Sequence, residues 1–311
     1  MDNSPINWAV NALNSSGHQL ITDRPKTIQH TPWSQVYCFT TDKGLVFLKI
    51  TPPALSLEST IINILHEQFQ ANVPQIIAAN PALHCFLMQD AGVPLHDYLK
   101  QAFKADVLGK AIDNYTMLQL KTADKIDMFL DLGVPDWRLE KLPILYQELI
   151  SHEKMLMDDG LTKNDLEQLH VLRPKLDAIC EELSHYKMTE TFGHADFHDK
   201  NILYNPNTNE TTLIDLGEVV ITHPFFSLLN CLHRAKMNFS LSDMQYRQLE
   251  AACLKPWLSL ESQDNLVKIL SIIQRCWSIH SVLGEFRLIQ SVDQLEKQGR
   301  LARNLRVWIN Q

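Results

Sequence analysis

The sequence predicts an α+β protein of two lobes, a small antiparallel β lobe followed by a large, mostly helical one. Three observations carry this. Between about residues 18 and 90 the apolar positions recur mostly at period two. Beyond Gly92 they recur at helical spacing. The 311 residues also exceed what one hydrophobic core usually holds, since single cores stop growing near roughly 250–300 residues. The boundary is expected at Ala91, giving lobes 1–91 and 92–311.

VYCFT (36–40) and GLVFLKI (44–50) are β-branched or aromatic runs joined by Thr41, Asp42, Lys43 and Gly44, which reads as a hairpin. In the second run Leu45, Phe47 and Lys49 share one face, while Val46, Leu48 and Ile50 share the other, so a lysine stands among inward-pointing residues. After Pro52-Pro53, Ser56 reads as the start of a helix, LESTIINILHEQF, with Leu57, Ile61, Ile64, Leu65 and Phe69 at helical spacing. Val73-Pro74 leads into the short run QIIAA. HCFLMQ (84–89) then reads as another strand that ends at Asp90-Ala91-Gly92.

The helical lobe follows with HDYLKQAF, a long stretch from about 106 to 130, LYQELISHEKMLM and a helix near 164–184, punctuated by Gly133, Pro135, Pro143 and Gly160. Residues 192–218 interrupt it with two short strands, ILY and TTLI, around the turn NPNTNE. Helix-period sequence then returns. Leu266, Ile269, Leu270, Ile273, Cys276, Trp277 and His280 form one apolar stripe, which reads as core.

Charge narrows the partners. Lys and Arg total 28 against 36 Asp and Glu, a net charge of −8, whereas nucleic-acid binders normally carry a basic excess that displaces counterions from phosphates. Nucleic acid is therefore not an expected partner; a small substrate, including a cationic one, suits this balance. The six cysteines are scattered without a C-x-x-C pair and read as reduced, mostly buried thiols. The segment MDNSPINWAVNAL lacks a basic n-region and a continuous apolar h-region, and nowhere do eighteen uncharged apolar residues run together. A soluble, cytoplasmic protein without a membrane partner is the expectation; the sequence is silent on oligomeric state.

The densest chemistry lies at HADFHDKN (194–201), with an acid recurring in LIDLGE. A metallohydrolase centre and a phosphoryl-transfer loop are the two chemistries that use such a cluster. Phosphoryl transfer needs divalent ions on the nucleotide phosphates, an acceptor for the substrate's hydroxyl proton, and a cation on the phosphates. In H-x-D-x-x-x-x-N the loop length suits a carboxylate, Asp196, aimed at the attacking hydroxyl and an amide oxygen, Asn201, aimed at Mg²⁺. The hairpin would return Asp215 beside Asn201 to hold the same metal, with Gly217 releasing the backbone from the strand.

HADFHDKNIL followed by LIDLGE closely resembles the catalytic and metal-binding segments of the aminoglycoside phosphotransferase/choline kinase family, whose fold is protein-kinase-like. The resemblance extends to the lysine-bearing strand VFLKI, an acid at the start of the next helix, Val73-Pro74, and the connector FLMQDAG-x-PL. It implies a small-molecule kinase that moves the γ-phosphate of ATP to an alcohol, such as an aminoglycoside, choline, ethanolamine, a sugar or an amino alcohol. It implies Asp196 as catalytic base, Asn201 and Asp215 as Mg²⁺ ligands, Lys49 on the nucleotide phosphates, and Glu58 as the helix acid that orients Lys49, with Glu67 as the competing choice. ATP would lie between the lobes, its adenine against Met88, Gln89 and Asp90. No G-x-G-x-x-G precedes the first hairpin, only HTPWSQVY, so the phosphate-covering turn would rely on backbone N–H groups near Ser34. Where family members commonly carry Gly-Asp-Pro and a further Asp, this chain has Thr222-His223-Pro224 and Ser227. Candidate acceptor-lining groups are Trp257, Glu261, Asp264, Trp277, Glu285 and Arg287, aromatics and acids of the kind that make a cation site.

Two rival readings remain at this point. His194, Asp196 and His198 alternate along an extended segment and would serve as transition-metal ligands of a hydrolase, with Asp215 or His223 completing the set. Otherwise His194 bonds backbone around the loop, and His198 packs it or sits near the acceptor. A kinase-like binding module without catalysis is the other rival, and it would be expected to lack the lysine, the base or a metal ligand; all are present.

Overall fold

The computed structural model describes residues 4–22, 24–292 and 299–311. The chain opens with helix α1 (Pro5–Ser15), capped by the Ser4 side chain on Asn7 N–H and started by Pro5, whose missing N–H costs nothing in the first turn. Strands β1 (Lys26–His30), β2 (Gln35–Thr41) and β3 (Gly44–Ile50) follow, then helix α2 (Glu58–Phe69), β4 (Ile76–Asn80) and β5 (Cys85–Gln89). The five strands form one antiparallel sheet in the order β1-β2-β3-β5-β4. The alternation read in GLVFLKI holds: Val46 and Leu48 pack on Ala9, Leu13, Phe39, Cys85 and Leu87, while Lys49 lies on the opposite face. Leu48 is wholly buried, and truncating such a leucine to alanine costs about 2–5 kcal/mol.

The short strand β6 (Val93–Pro94) and α3 (Leu95–Gln101) lead into α4 (Ala105–Thr122), α5 (Ile126–Asp131), the two-residue strand β7 (Asp136–Trp137), α6 (Leu142–Ser151), α7 (Glu153–Asp158), α8 (Lys163–Val171) and α9 (Arg173–Ser184). Several helices are shorter than their apolar periodicity suggests. The stretch read as one helix near 164–184 breaks at Leu172, where Pro174 enters the first turn of α9 and cannot donate to the preceding turn. Strand β8 (Thr191–His194) precedes the loop 195–200. Next come the hairpin β9 (Ile202–Asn205) and β10 (Glu210–Leu213), strand β11 (Val219–Thr222) and helices α10 (Phe225–Phe239), α11 (Asp243–Leu254), α12 (Gln263–Gln290) and α13 (Arg300–Ile309).

Two compact units result, and the chain passes between them more than once. The first takes in the residues up to Tyr98 together with Asn201–Gly217; the second includes Leu99–Lys200 and Glu218–Ile289. The hairpin read from the sequence as part of the helical lobe thus packs with the N-terminal unit. Its strand β9 pairs with β6, Val93 opposite Tyr204, and Gly92 takes φ +123° where a Cβ would come within 2.5 Å of the Tyr204 carbonyl oxygen. In the second unit β11 lies between β7 and β8. Helix α12 is long and apolar enough to cross a membrane by length and composition, yet Leu266, Ile269, Leu270, Ile273, Cys276 and His280 are buried inside the unit, so it is a core helix here. All six cysteines are free and buried.

Candidate active site

In the first unit three charged side chains converge. Lys49, projected from β3 and only 5% exposed, places Nζ 2.8 Å from Glu58 Oε1 and 2.6 Å from Asp215 Oδ1. Glu58 is itself 2% exposed, and its Oε1 also accepts the Leu216 N–H at 3.0 Å. Burial opposes the charge on Lys49, but the Asp215 and Glu58 carboxylates outweigh it and push the ammonium pKa above its ordinary value. Burial, aided by the Asp215 charge, pushes the Glu58 carboxyl up, with Lys49 and the Leu216 amide acting in the opposite direction. Glu58 is therefore the acid that meets Lys49. Glu67 is exposed on another face of α2. The helix does not start as read: Ser56 Oγ donates to the Pro53 carbonyl, and α2 begins at Glu58 without a side-chain cap.

The hairpin sets the metal-ligand candidates side by side. Leu213 pairs with Ile202, and the Ile214 N–H donates to the Asn201 carbonyl at 3.0 Å, which brings the residue before Asp215 against Asn201. Asp215 has φ +62°, a left-handed backbone that Asp and Asn tolerate better than other residues with a side chain. That turn, and not Gly217, takes the chain out of the strand direction. Gly217 has no positive φ; it sits in the 3-10 turn Leu216–Glu218, where a Cβ would lie 3.4 Å from Glu58 Oε2 and 3.6 Å from Leu55 Cβ. Its small size lets this turn approach Glu58. The carboxylate of Asp215 and the amide oxygen of Asn201 are hard donors that fit Mg²⁺, an ion that takes the rest of its shell from water and phosphate.

On the Lys49 face of the same sheet a cavity of about 440 Å³ is lined by Lys26, Ile28, Cys38, Leu45 and Phe47 among others. Met88 lies opposite Phe47 on the neighbouring strand, half-buried, while Gln89 and Asp90 are exposed. Ser34 lies in the β1–β2 turn, and its amide is engaged: the N–H donates to Thr31 Oγ1 at 3.0 Å, and its carbonyl accepts the Thr31 N–H. The turn is closed on itself at Ser34, so that residue's own N–H is already engaged. The Ser34 hydroxyl, by contrast, is buried and has no hydrogen-bond partner among the described residues.

The second unit holds the loop that follows β8. Asp196 Oδ2 lies 3.1 Å from His198 Nε2, and His198 Nδ1 accepts the Lys200 N–H at 3.1 Å. Because Nδ1 is an acceptor, the neutral ring carries its proton on Nε2 and donates it to Asp196. Burial raises the Asp196 carboxyl, but the His198 hydrogen bond and the charges of His198, His194 and Arg234 outweigh it and hold the pKa below the usual carboxylate value. His194 is fully buried; its N–H donates to the Tyr115 hydroxyl at 2.8 Å and its Nδ1 accepts the Asp196 N–H at 3.2 Å. It therefore shapes the loop. Among the described residues no three His, Cys, Asp or Glu side chains are grouped to hold a metal ion, so the hydrolase reading of His194, Asp196 and His198 has no support.

Helix α10 clamps the loop with residues that the sequence analysis did not single out. Asn230, Arg234 and Asn238 recur every four residues on one face. Asn230 Nδ2 donates to the Phe197 carbonyl at 3.2 Å; Asn238 Nδ2 donates to both oxygens of Asp199 at 2.9 and 3.2 Å; Arg234 Nη2 stands 4.0 Å from Asp196 Oδ1. The polar stripe in FFSLLNCLHRAKMNF was the available signal. Tyr115 stacks on Phe197 at 4.0 Å between ring centroids. At the start of α10, His223 Nδ1 accepts the Phe225 N–H at 3.2 Å, so a neutral imidazole caps the helix where family members commonly carry Asp.

The candidate acceptor-lining groups are mostly engaged elsewhere. Trp257 is fully buried, Glu261 accepts from the Lys187 amide and Asn265, Glu285 pairs with Arg300, and Arg287 donates to the Val219 carbonyl. Trp277 meets the edge of His233, and Asp264 is exposed.

A five-stranded antiparallel sheet bearing a buried Lys–Glu pair, followed by a helical unit with an H-x-D loop, defines a protein-kinase-like fold of the small-molecule phosphotransferase class. The chain belongs to the phosphotransferase enzyme family, whose sequence profile matches residues 30–261. No curated protein sequence matches it. Its structure is similar to that of an ethanolamine kinase from Plasmodium vivax, at 12% identity and a TM-score of 0.64, covering 93% of this chain and 83% of that one. It is also similar to a choline kinase from Streptococcus pneumoniae, at 10% identity and a TM-score of 0.62, covering 99% and 100%. A third similar structure is an aminoglycoside phosphotransferase from Streptomyces rimosus in complex with ADP and streptomycin, at 14% identity and a TM-score of 0.52, covering 89% and 98%.

Proposed function

We propose that the protein is an ATP-dependent kinase that phosphorylates a hydroxyl group of a small molecule. The observation that carries this reading is the buried Lys49–Glu58 pair with Asp215 at 2.6 Å from the same ammonium. A lysine enclosed by two acids retains its charge, and its position is fixed before any phosphate arrives. The orphan Ser34 hydroxyl and the cavity lined by Cys38 and Phe47 suit the phosphates and the base of the nucleotide. ADP in the Streptomyces rimosus structure supports the same class of cosubstrate.

Asp215 and Asn201 would hold Mg²⁺, which when bound neutralises charge on the transferring phosphoryl group. Lys49 would orient the phosphates through their oxygens, with Glu58 preventing it from swinging away. Asp196 would receive the acceptor's hydroxyl proton. Its lowered pKa suits a loose transition state, in which the proton moves late and alignment matters more than base strength. His198 fixes that alignment by donating to Oδ2. Cytoplasmic location follows as part of the same reading, since the cosubstrate is a cytosolic metabolite.

The test pairs a binding and a turnover measurement on the whole protein. ATP or ADP should raise the melting temperature only when Mg²⁺ is present, and a panel of aminoglycosides, choline, ethanolamine and sugars should include an acceptor that triggers coupled ADP release. Nucleotide stabilisation without turnover on any alcohol would favour the binding module; no Mg²⁺-dependent stabilisation would end the kinase reading.

A further inference from the structure

We infer that Arg234 selects the acceptor and that the acceptor carries an anionic group, a carboxylate or a phosphate, close to the hydroxyl that is phosphorylated. The inference rests on the kinase reading above and narrows it.

The asymmetry around Asp196 motivates it. Oδ2 is held by His198 at 3.1 Å, whereas Oδ1 faces Arg234 Nη2 at 4.0 Å, a Coulombic approach too long for a hydrogen bond. The flanking Asn230 and Asn238 have structural work, each fixing the loop at hydrogen-bond distance. Among the described residues Arg234 makes no such bond, and its side chain is 49% exposed. Five donors in a planar fork, placed next to the proton-accepting carboxylate, match a carboxylate or phosphate bidentately.

The helix that carries Arg234 adds no carboxylate beside it, since α10 contains no Asp or Glu. Of the two loop acids, Asp199 is 1% exposed and holds Asn238 with both oxygens. An ammonium group placed beside Asp196 would meet the guanidinium as a like charge. Of the acids that would build a cation site, Glu261 and Glu285 are engaged with Lys187, Asn265 and Arg300.

Substrate binding would then also prepare the base. An anionic group drawing Arg234 toward itself would relieve the guanidinium's pull on Oδ1 as the hydroxyl approaches. The hydroxyl oxygen forms the new P–O bond, the bond from γ-phosphorus to the bridging oxygen of ATP breaks with its electron pair leaving on ADP, and the proton passes to Asp196.

The experiment compares glycerate, glycerol 3-phosphate, glycerol, choline and kanamycin, as ligands of the Mg-ADP-loaded protein and as acceptors with Mg-ATP, using wild type, Arg234→Gln and Arg234→Lys. Wild type should prefer one of the two anions over glycerol by at least about 10-fold, and whether glycerate or glycerol 3-phosphate wins distinguishes carboxylate from phosphate. Arg234→Gln should lose about 10-fold or more on that anion beyond any loss it shows on glycerol, with the excess mainly in KM; Arg234→Lys should recover part of the excess. Preference for choline or kanamycin, no binding of either anion, or an equal kcat loss on charged and neutral acceptors would overturn the inference. Failure of the kinase reading itself would appear separately, as absent Mg²⁺-dependent ADP binding in wild type.

Discussion

Lys49 Nζ and an Asp215 carboxylate oxygen, 166 positions apart in the chain, meet at 2.6 Å. The contact joins the strand β3 to the turn after β10, and the second acid, Glu58, joins both to helix α2. A buried charge network of this kind is weak evidence of stability in itself, but removing one member leaves the others uncompensated. Lys49→Met should therefore lower stability by about 3–5 kcal/mol in urea unfolding as well as abolish phosphoryl transfer. An unchanged unfolding midpoint would show that the network is not charged as described.

Asp215 has a different sensitivity because its backbone is left-handed, at φ +62°. Alanine there would add strain to the loss of the carboxylate, whereas asparagine tolerates the conformation. Asp215→Asn should be destabilised by the lost Lys49 ion pair but less than Asp215→Ala, and should lose most of the Mg²⁺-dependent thermal shift produced by ADP. At a ligand concentration of 100 times Kd that shift corresponds to about 2.7 kcal/mol in the wild type.

For His198 the readout is a pH profile. Its hydrogen bond to Oδ2 helps to hold the Asp196 pKa down, so His198→Ala should move the acid limb of kcat/KM toward higher pH. The loosened carboxylate should also cost about 10–100-fold in kcat. A lower rate without movement of the acid limb would mean that His198 acts only by packing.

The buried imidazoles give a stability prediction with a defined sign. Burial pushes His280 down to about 3 from 6.5, and its Nε2 is buried without a hydrogen-bond partner. The unfolded chain binds this proton below pH 6.5 while the folded one does not, so the contribution of the neutral ring is complete above that pH and declines as pH falls toward about 3. The decline approaches about 5 kcal/mol at the acid end, at 1.36 kcal/mol per unit. His280→Phe, which keeps the stacking on Phe226 at 4.4 Å, should flatten that part of the pH–stability curve without loss at pH 7.

What could be read in advance follows the range of each signal. The β2–β3 hairpin, the face of Lys49, and the pairing of Asn201 with the segment of Asp215 are written in local alternation and in one short turn, and all were legible. Helix α1 and strand β1 were not, because one is an 11-residue helix with no acid in its first turn and no base in its last, and the other, KTIQH, is exposed along its whole length. The start of α2 was misplaced because Ser56 found a nearer acceptor in Pro53. Gly217 was given the wrong task, since Asp215 itself absorbs the left-handed turn. The partners of the Asp196 loop lay hidden in α10, well downstream of it, where only the four-residue recurrence of Asn230, Arg234 and Asn238 announces them. The substitution of His223 for the family's acid became intelligible only once its ring nitrogen was seen to cap α10.

The account depends most on Asp196 being the group that receives the hydroxyl proton, and Asp196→Asn tests it most directly. On any alcohol that the wild type phosphorylates, the variant should release ADP at least about 100-fold more slowly while keeping its Mg²⁺-dependent affinity for ADP. Transfer at the wild-type rate by a correctly folded Asp196→Asn protein would contradict it.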